Sequence, residues 1–109
     1  MATKKFKLNV EEIIDLIKPM GCCIASDKIT VDGMPVGFMY RERPDDDMDS
    51  GWRFFSGTED DDYVDDLNNA MIFDVNAIAN YDKDIIPYLN MPVGTELERL
   101  EGTKEFQSI

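Results

Sequence analysis

Apolar residues recur along this chain at two different periods, and the places where the period switches sketch its elements. Val10, Ile13, Ile14 and Ile17 share one face at helical spacing. Asn9 stands in the cap position with Glu12 three residues on, so a capping box predicts an N-terminal helix, ended by Pro19 and Gly21. Cys22 to Ser26 is a short apolar run of the kind that forms a buried strand. Ile29 to Val31 and Val36 to Arg41 flank Asp32-Gly33, which predicts a β-hairpin because Asp-Gly readily takes positive φ. In its second strand Val36, Phe38 and Tyr40 share one side and Met39 and Arg41 the other, with Pro35 tolerated only at the margin.

Gly51 to Ser56 alternates again, Trp52 and Phe54 on one face, Arg53 and Phe55 on the opposite one. Ala70 to Val75 predicts a further strand, and Asp74 or Asn76 can cap a short helix through Tyr81 that turns Ile78 and Tyr81 inward. Asp84 can cap a final turn holding Pro87, and Leu97 to Leu100, Glu101-Gly102-Thr103 and Lys104 to Gln107 predict a terminal hairpin. The expected fold is α+β: a single domain over residues 1–109, a mostly antiparallel sheet with an N-terminal helix and one or two short helices packed on one face.

Composition narrows the chemistry. Apolar stretches such as Cys22 to Ala25 and Val36 to Tyr40 fall far short of the roughly 20 residues a membrane helix needs. Met1 to Leu8 begins with lysines but lacks the apolar run of a secretory signal, so a cytoplasmic location is expected. The two cysteines, Cys22 and Cys23, are adjacent and match neither a zinc spacing nor a redox pair; small core thiols are the plainer reading. Histidine is absent, which removes the usual general base and the Ser-His and Cys-His nucleophile pairs. Ser50 and Ser56 adjoin glycines but form no nucleophile elbow, and Gly33, Gly37, Gly51 and Gly57 form no phosphate-cradling pattern. Carboxylates in dense like-charged runs are poorly placed for the selective burial that separates a catalytic acid from a base. No enzymatic activity and no cofactor are expected.

The net charge of −12 disfavours nucleic acid and anionic membranes as partners. Its distribution says more. Residues 42–66 carry eleven acidic and two basic side chains, so three quarters of the net charge lies in less than a quarter of the chain. One cluster is Asp45, Asp46, Asp47 and Asp49; the other is Glu59, Asp60, Asp61, Asp62, Asp65 and Asp66. Between them lies Ser50 to Gly57, the most aromatic stretch of the chain. Asp45, Asp47 and Asp49 alternate as in a calcium loop, but Ser50 replaces the required glycine and Ser56 the bidentate glutamate, so no metal site is expected. Such a segment either keeps the protein soluble or steers a cationic protein partner toward nearby aromatic anchors. On the second reading the contact residues are Asp45, Asp46, Asp47, Asp49, Glu59, Asp60, Asp61 and Asp62, with Tyr63 as an anchor. Trp52, Arg53 and Phe54 are weighted toward structure, because a strand of large side chains is usually core.

From Ser26 to Gly94 the chain resembles a bacterial domain family first catalogued as a domain of unknown function and then grouped with the immunity proteins of polymorphic toxin systems, type thirty-three. The resemblance rests on Ser26-Asp27-Lys28-Ile29, on Val36-Gly37-Phe38-Met39-Tyr40-Arg41-Glu42, on Asp49-Ser50-Gly51-Trp52-Arg53-Phe54-Phe55-Ser56-Gly57, and on Ile78-Ala79-Asn80-Tyr81 through Asp84-Ile85-Ile86-Pro87-Tyr88-Leu89. The Asp-Ser-Gly-Trp-Arg-Phe run is its specific part, and Lys83 departs from the proline more usual there. The resemblance implies a non-catalytic protein that binds and silences a cognate toxin domain, and it carries over no catalytic residues. The alternative is a standalone regulatory or housekeeping module that binds a host protein or a small ligand.

Overall fold

The computed structural model describes residues 4–109; Met1 to Thr3, the start of the lysine-bearing N-terminus, lie outside that range. Six strands form one sheet: β1 (Cys22–Ser26), β2 (Phe38–Arg41), β3 (Asp49–Phe55), β4 (Ala70–Asp74), β5 (Glu96–Arg99) and β6 (Phe106–Ser108). Their order is β4-β1-β3-β2-β5-β6. The β1–β3 pair is parallel, and the other four pairings are antiparallel. The short helices are α1 (Asp27–Thr30), α2 (Asp61–Asp65) and α3 (Val75–Tyr81), joined by 3-10 segments at Val10–Glu12, Leu67–Asn69 and Lys83–Tyr88.

Period-two alternation places the core. Cys23 and Ala25 of β1, Met39 of β2, Trp52 and Phe54 of β3, and Leu97 of β5 all point to one face and are almost fully buried. There they meet Ile29 of α1, Val75, Ile78 and Ala79 of α3, and Ile85 and Leu89 of the 3-10 segment. Fully burying side chains of this size contributes about 2–3 kcal/mol each, which makes this face the main source of stability. Trp52 stacks on Phe54 at 5.9 Å, and its indole N–H donates to the Leu89 carbonyl at 3.0 Å, so its one polar atom is satisfied inside the core.

The helix after β4 follows the expected local chemistry. Asp74 accepts a hydrogen bond from the Asn76 N–H at 3.0 Å and caps α3. The next turn differs in detail: Asp82, not Asp84, supplies the cap, accepting from the Asp84 N–H, and Pro87 falls late in the segment. Asp82 also accepts from the Val36 N–H at 2.9 Å and pairs with Arg99 at 2.5 Å, while Arg99 reaches Asp84 at 2.9 Å. One carboxylate thereby ties the approach to β2, the end of α3 and the end of β5.

Two predicted elements are overturned. The stretch from Asp27 is a helical turn, not the first strand of a hairpin: Ser26 caps it through the Lys28 N–H, and Ile29 and Thr30 are buried beneath it. Asp32-Gly33 closes that helix, the Gly33 N–H donating to the Ile29 carbonyl with φ at 78°. The Asp-Gly pair was legible as a positive-φ site; a helix end uses that conformation as readily as a hairpin does.

The N-terminal helix is likewise only the 3-10 turn at Val10–Glu12, with the Asn9 N–H donating to Glu12 at 3.1 Å as a capping box would have it. Beyond Ile13 the chain is not helical, because α3 satisfies its backbone. The Asn76 side chain accepts from the N–H groups of Leu16 (2.8 Å) and Ile17 (3.2 Å) and donates to the Ile14 carbonyl. Asn80 accepts from Ile14 N–H and donates to the same carbonyl. The apolar stripe is split accordingly: Ile17, with its neighbour Leu16 from outside the stripe, packs on the core, while Val10 and Ile14 face solvent. The helices are also not all on one face. α1 and α3 cover the core side, and α2 lies beside the other.

Replacing Asn76 with alanine leaves the N–H groups of Leu16 and Ile17 without partners, while the Ile14 carbonyl keeps Asn80, a loss of about 2 kcal/mol in local stability. Amide exchange at Leu16 and Ile17 is expected to quicken about 30-fold in Asn76→Ala, with the β3 amides unchanged. Hydrogen exchange followed by NMR checks this.

Candidate functional site

The acidic segment begins where β2 ends and is organised by Arg53. In a regular strand, residues four apart are separated by about 13 Å. Asp49 and Arg53 nevertheless form a two-pronged pair at 2.8 and 2.9 Å. The irregularity lies between them: β1 pairs Cys22 with Asp49 and Ile24 with Arg53, so β3 accommodates two extra residues there. Gly51 makes this possible, with φ at 89° and a Cβ direction that would collide with the Glu42 carbonyl. The Asp-Ser-Gly-Trp-Arg-Phe run is thus the sequence of a bulged strand that folds back on its own arginine.

Arg53 is buried, 3% exposed, on the sheet face opposite the core. Glu42 accepts from its Nε at 2.6 Å, and Asp45 stands 4.0 Å away. Asp49 also accepts from the N–H groups of Asp45 and Gly51. The hydrogen bonds from Arg53 hold the Asp49 carboxyl well below the ordinary carboxylate range, overcoming the opposing effect of burial. The same partner raises Arg53 above its usual value.

The nine residues singled out in the sequence divide by what they touch. Asp49 is largely enclosed and committed to Arg53. Asp46 accepts from the N–H groups of Met48 and Asp49, which shapes its loop. Glu59 accepts from Ser56 and Gly57; burial pushes its carboxyl up, but the hydrogen bonds from Ser56 and Ser26 outweigh it and hold the pKa below its ordinary value. Asp60 caps α2 through the Tyr63 N–H. Tyr63 is half-buried with the Lys28 ammonium 4.9 Å from its ring centre, and burial raises its phenol. Asp45, Asp46, Asp47, Asp60, Asp61 and Asp62 are exposed. Among the described residues, no lysine or arginine pairs with Asp46, Asp47 or any acid of the second cluster.

Between the two clusters lies a surface that the sequence reading passed over. Phe38 and Tyr40 of β2 and Phe55 of β3 stand half-buried on the uncovered face, Tyr40 parallel to Phe55 within 6° at 6.1 Å. With Val64, Glu59, Glu98 and Glu101 they line an open groove of about 870 Å³. A second depression of about 380 Å³ continues past Tyr40, Phe55 and Val64 to Ile24, Leu67 and Ile72. The signal was present: both central strands alternate with aromatics on their second face, and the few helices expected could not cover both faces. Cys23 is enclosed, and its burial pushes the thiol pKa upward, an unreactive state. Among the described residues no helix is long and apolar enough to cross a membrane, and no three potential ligand side chains converge on a metal position.

The model of the immunity protein Imm33 domain matches residues 23–109, from β1 through β6. The chain belongs to the Imm33 immunity protein domain family. The Imm33 match runs past Gly94, where the resemblance seen in the sequence ended, to include the β5–β6 hairpin, and it leaves out the N-terminal segment that α3 binds. No curated protein and no solved structure matches the chain.

Because the folded Asp49 pKa lies below its unfolded value near 4, the stabilisation it contributes is fully present above about pH 4 and is lost as pH falls toward the folded value. Asp49→Asn is expected to lose about 3 kcal/mol at pH 7, since it strips a buried guanidinium of its two-pronged partner while Glu42 remains. Urea unfolding at pH 7 and at successively lower pH below 4 should show that gap narrowing with acid.

Proposed function

We propose that this protein is a non-catalytic immunity protein that binds a cognate toxin domain through the acidic face formed by residues 42–66. The observation that carries the reading is the pairing of Imm33 membership with carboxylates left unneutralised on exposed loops. Net charge opposes folding by self-repulsion, so an uncompensated cluster that does not serve the fold is an expense better explained by a partner. Asp49 and Glu42 serve the fold through Arg53; Asp47, Asp61 and Asp62 accept no hydrogen bond from described residues. The contact set is Asp45, Asp46, Asp47, Asp60, Asp61 and Asp62, with Glu59 and Tyr63 at the margin and Asp49 holding the loop from beneath.

A cationic toxin surface, such as the substrate groove of a nuclease, is the complement of this face. Binding takes place in the cytoplasm, where such a toxin would act. Attraction of this kind mainly accelerates encounter and weakens once salt screens charges beyond about 10 Å, at 0.1 M.

Asparagine at positions 60, 61 and 62 removes three charges yet keeps the α2 cap, since asparagine caps as well as aspartate. The triple variant is expected to associate with the toxin domain encoded beside its gene about tenfold more slowly at low salt, with the difference vanishing near 1 M. Stopped-flow mixing across a salt series measures it. Unchanged association rates would reduce the cluster to a solubility feature, and the absence of any complex would remove the immunity reading.

A further inference from the structure

The acidic loops account for attraction but supply few desolvated anchors, and tight protein interfaces centre on buried aromatic or arginine contacts. The uncovered sheet face has the missing part. Its floor is Phe38, Tyr40 and Phe55, whose ring centres lie 5.6 to 6.3 Å apart, and Val64 at the edge of α2 walls one side. Carboxylates of Glu59, Glu98 and Glu101 line the same groove. Among the described residues the only cation in its lining, Arg99, is spent: Asp82 and Asp84 hold its guanidinium, and its Nε donates to the Val36 carbonyl. The groove therefore presents ring faces and negative charge together.

We infer that this groove is the anchoring pocket for an arginine side chain projecting from the toxin, its aliphatic stem and guanidinium plane lying over Phe38, Tyr40 and Phe55 and its N–H groups reaching the rim carboxylates. Arginine fits both halves of the pocket. A guanidinium is planar, stacks on aromatic faces and donates in a fixed fork to carboxylates. A purely aliphatic anchor would use the floor and desolvate the rim for nothing. An anionic ligand would face three carboxylates with no free cation. The first acid cluster sits on the β2–β3 connection and the second follows β3, where Glu59 and Val64 line the pocket itself, so a segment drawn in by those loops arrives beside it.

This inference rests on the toxin-binding reading and is tested apart from it. The toxin domain encoded beside the gene is titrated by calorimetry into wild-type protein, into Tyr40→Ala, and into the exposed-rim variant Glu98→Arg with Glu101→Arg, whose two sites carry no buried side chain. Each variant is first checked for an unchanged unfolding transition, and the rim variant decides the matter where Tyr40→Ala is unstable. Affinity about 30-fold weaker in the rim variant, with dissociation accelerated rather than association alone slowed, supports the pocket. Wild-type affinity in the rim variant, alongside weakened binding by the Asp60, Asp61 and Asp62 triple variant, overturns the pocket and leaves the acidic-face reading standing. Absence of any complex with wild-type protein overturns both. A short arginine-rich peptide added to isotopically labelled protein gives an independent readout: shifts at Tyr40, Phe55 and Glu98 amides support the pocket, and shifts confined to 45–49 and 60–62 count against it.

Discussion

The buried guanidinium of Arg53 is the constraint on which the rest of the acidic half depends. A cation enclosed on a sheet face is tolerable only if its charge and its donors are met, and Asp49 and Glu42 meet both. Glu42 follows the last residue of β2 and Asp49 is the first of β3, so one side chain clamps both ends of the connection that carries Asp45, Asp46 and Asp47. The clamp requires the bulge, the bulge requires Gly51, and a run of six residues that looks arbitrary in the sequence becomes one geometrical device.

The charge economy follows from that device. Of the acids in residues 42–66, the structure commits two to Arg53 and gives Asp46, Glu59, Asp60 and Asp66 backbone N–H groups to hold. Backbone donors stabilise a carboxylate without neutralising it. The fold thus orders its loops by means of negative charge while leaving that charge unneutralised at the surface. Capping and clamping thus hold like charges in one ordered surface array.

The two faces of the sheet show how a short chain divides its apolar residues. Trp52 and Phe54 are covered by α1, α3 and the segment after α3, whereas Phe38, Tyr40 and Phe55 have only α2 beside them. Burial, and next the Glu42 carboxylate, push the Tyr40 phenol above its ordinary value, which favours the neutral form, a ring with a hydroxyl tip. An aromatic floor between carboxylate rims is a composition suited to binding cations, and it exists because the available helices are too few and too short to cover both faces.

Local chemistry, and therefore the sequence, determined the strands with clear alternation, a cap at Asp74 or Asn76, the terminal hairpin, the shared side of Trp52 and Phe54 and the concentration of charge; each depends on neighbours a few residues away, whereas which of the two caps and which strand face is buried came from the structure. Long-range pairing decided the remainder. Asn76 and Asn80 bind the backbone of residues 14 to 17 and outcompete a helix whose capping box is intact, because a helix this short gains little from its own hydrogen bonds. The parallel pairing of β1 with β3 makes the stretch between β1 and β2 a helical connection where a hairpin was legible. Which carboxylates face inward was likewise hidden: Asp49 and Asp47 are alike in sequence, and only the bulge turns one onto Arg53 and leaves the other in water.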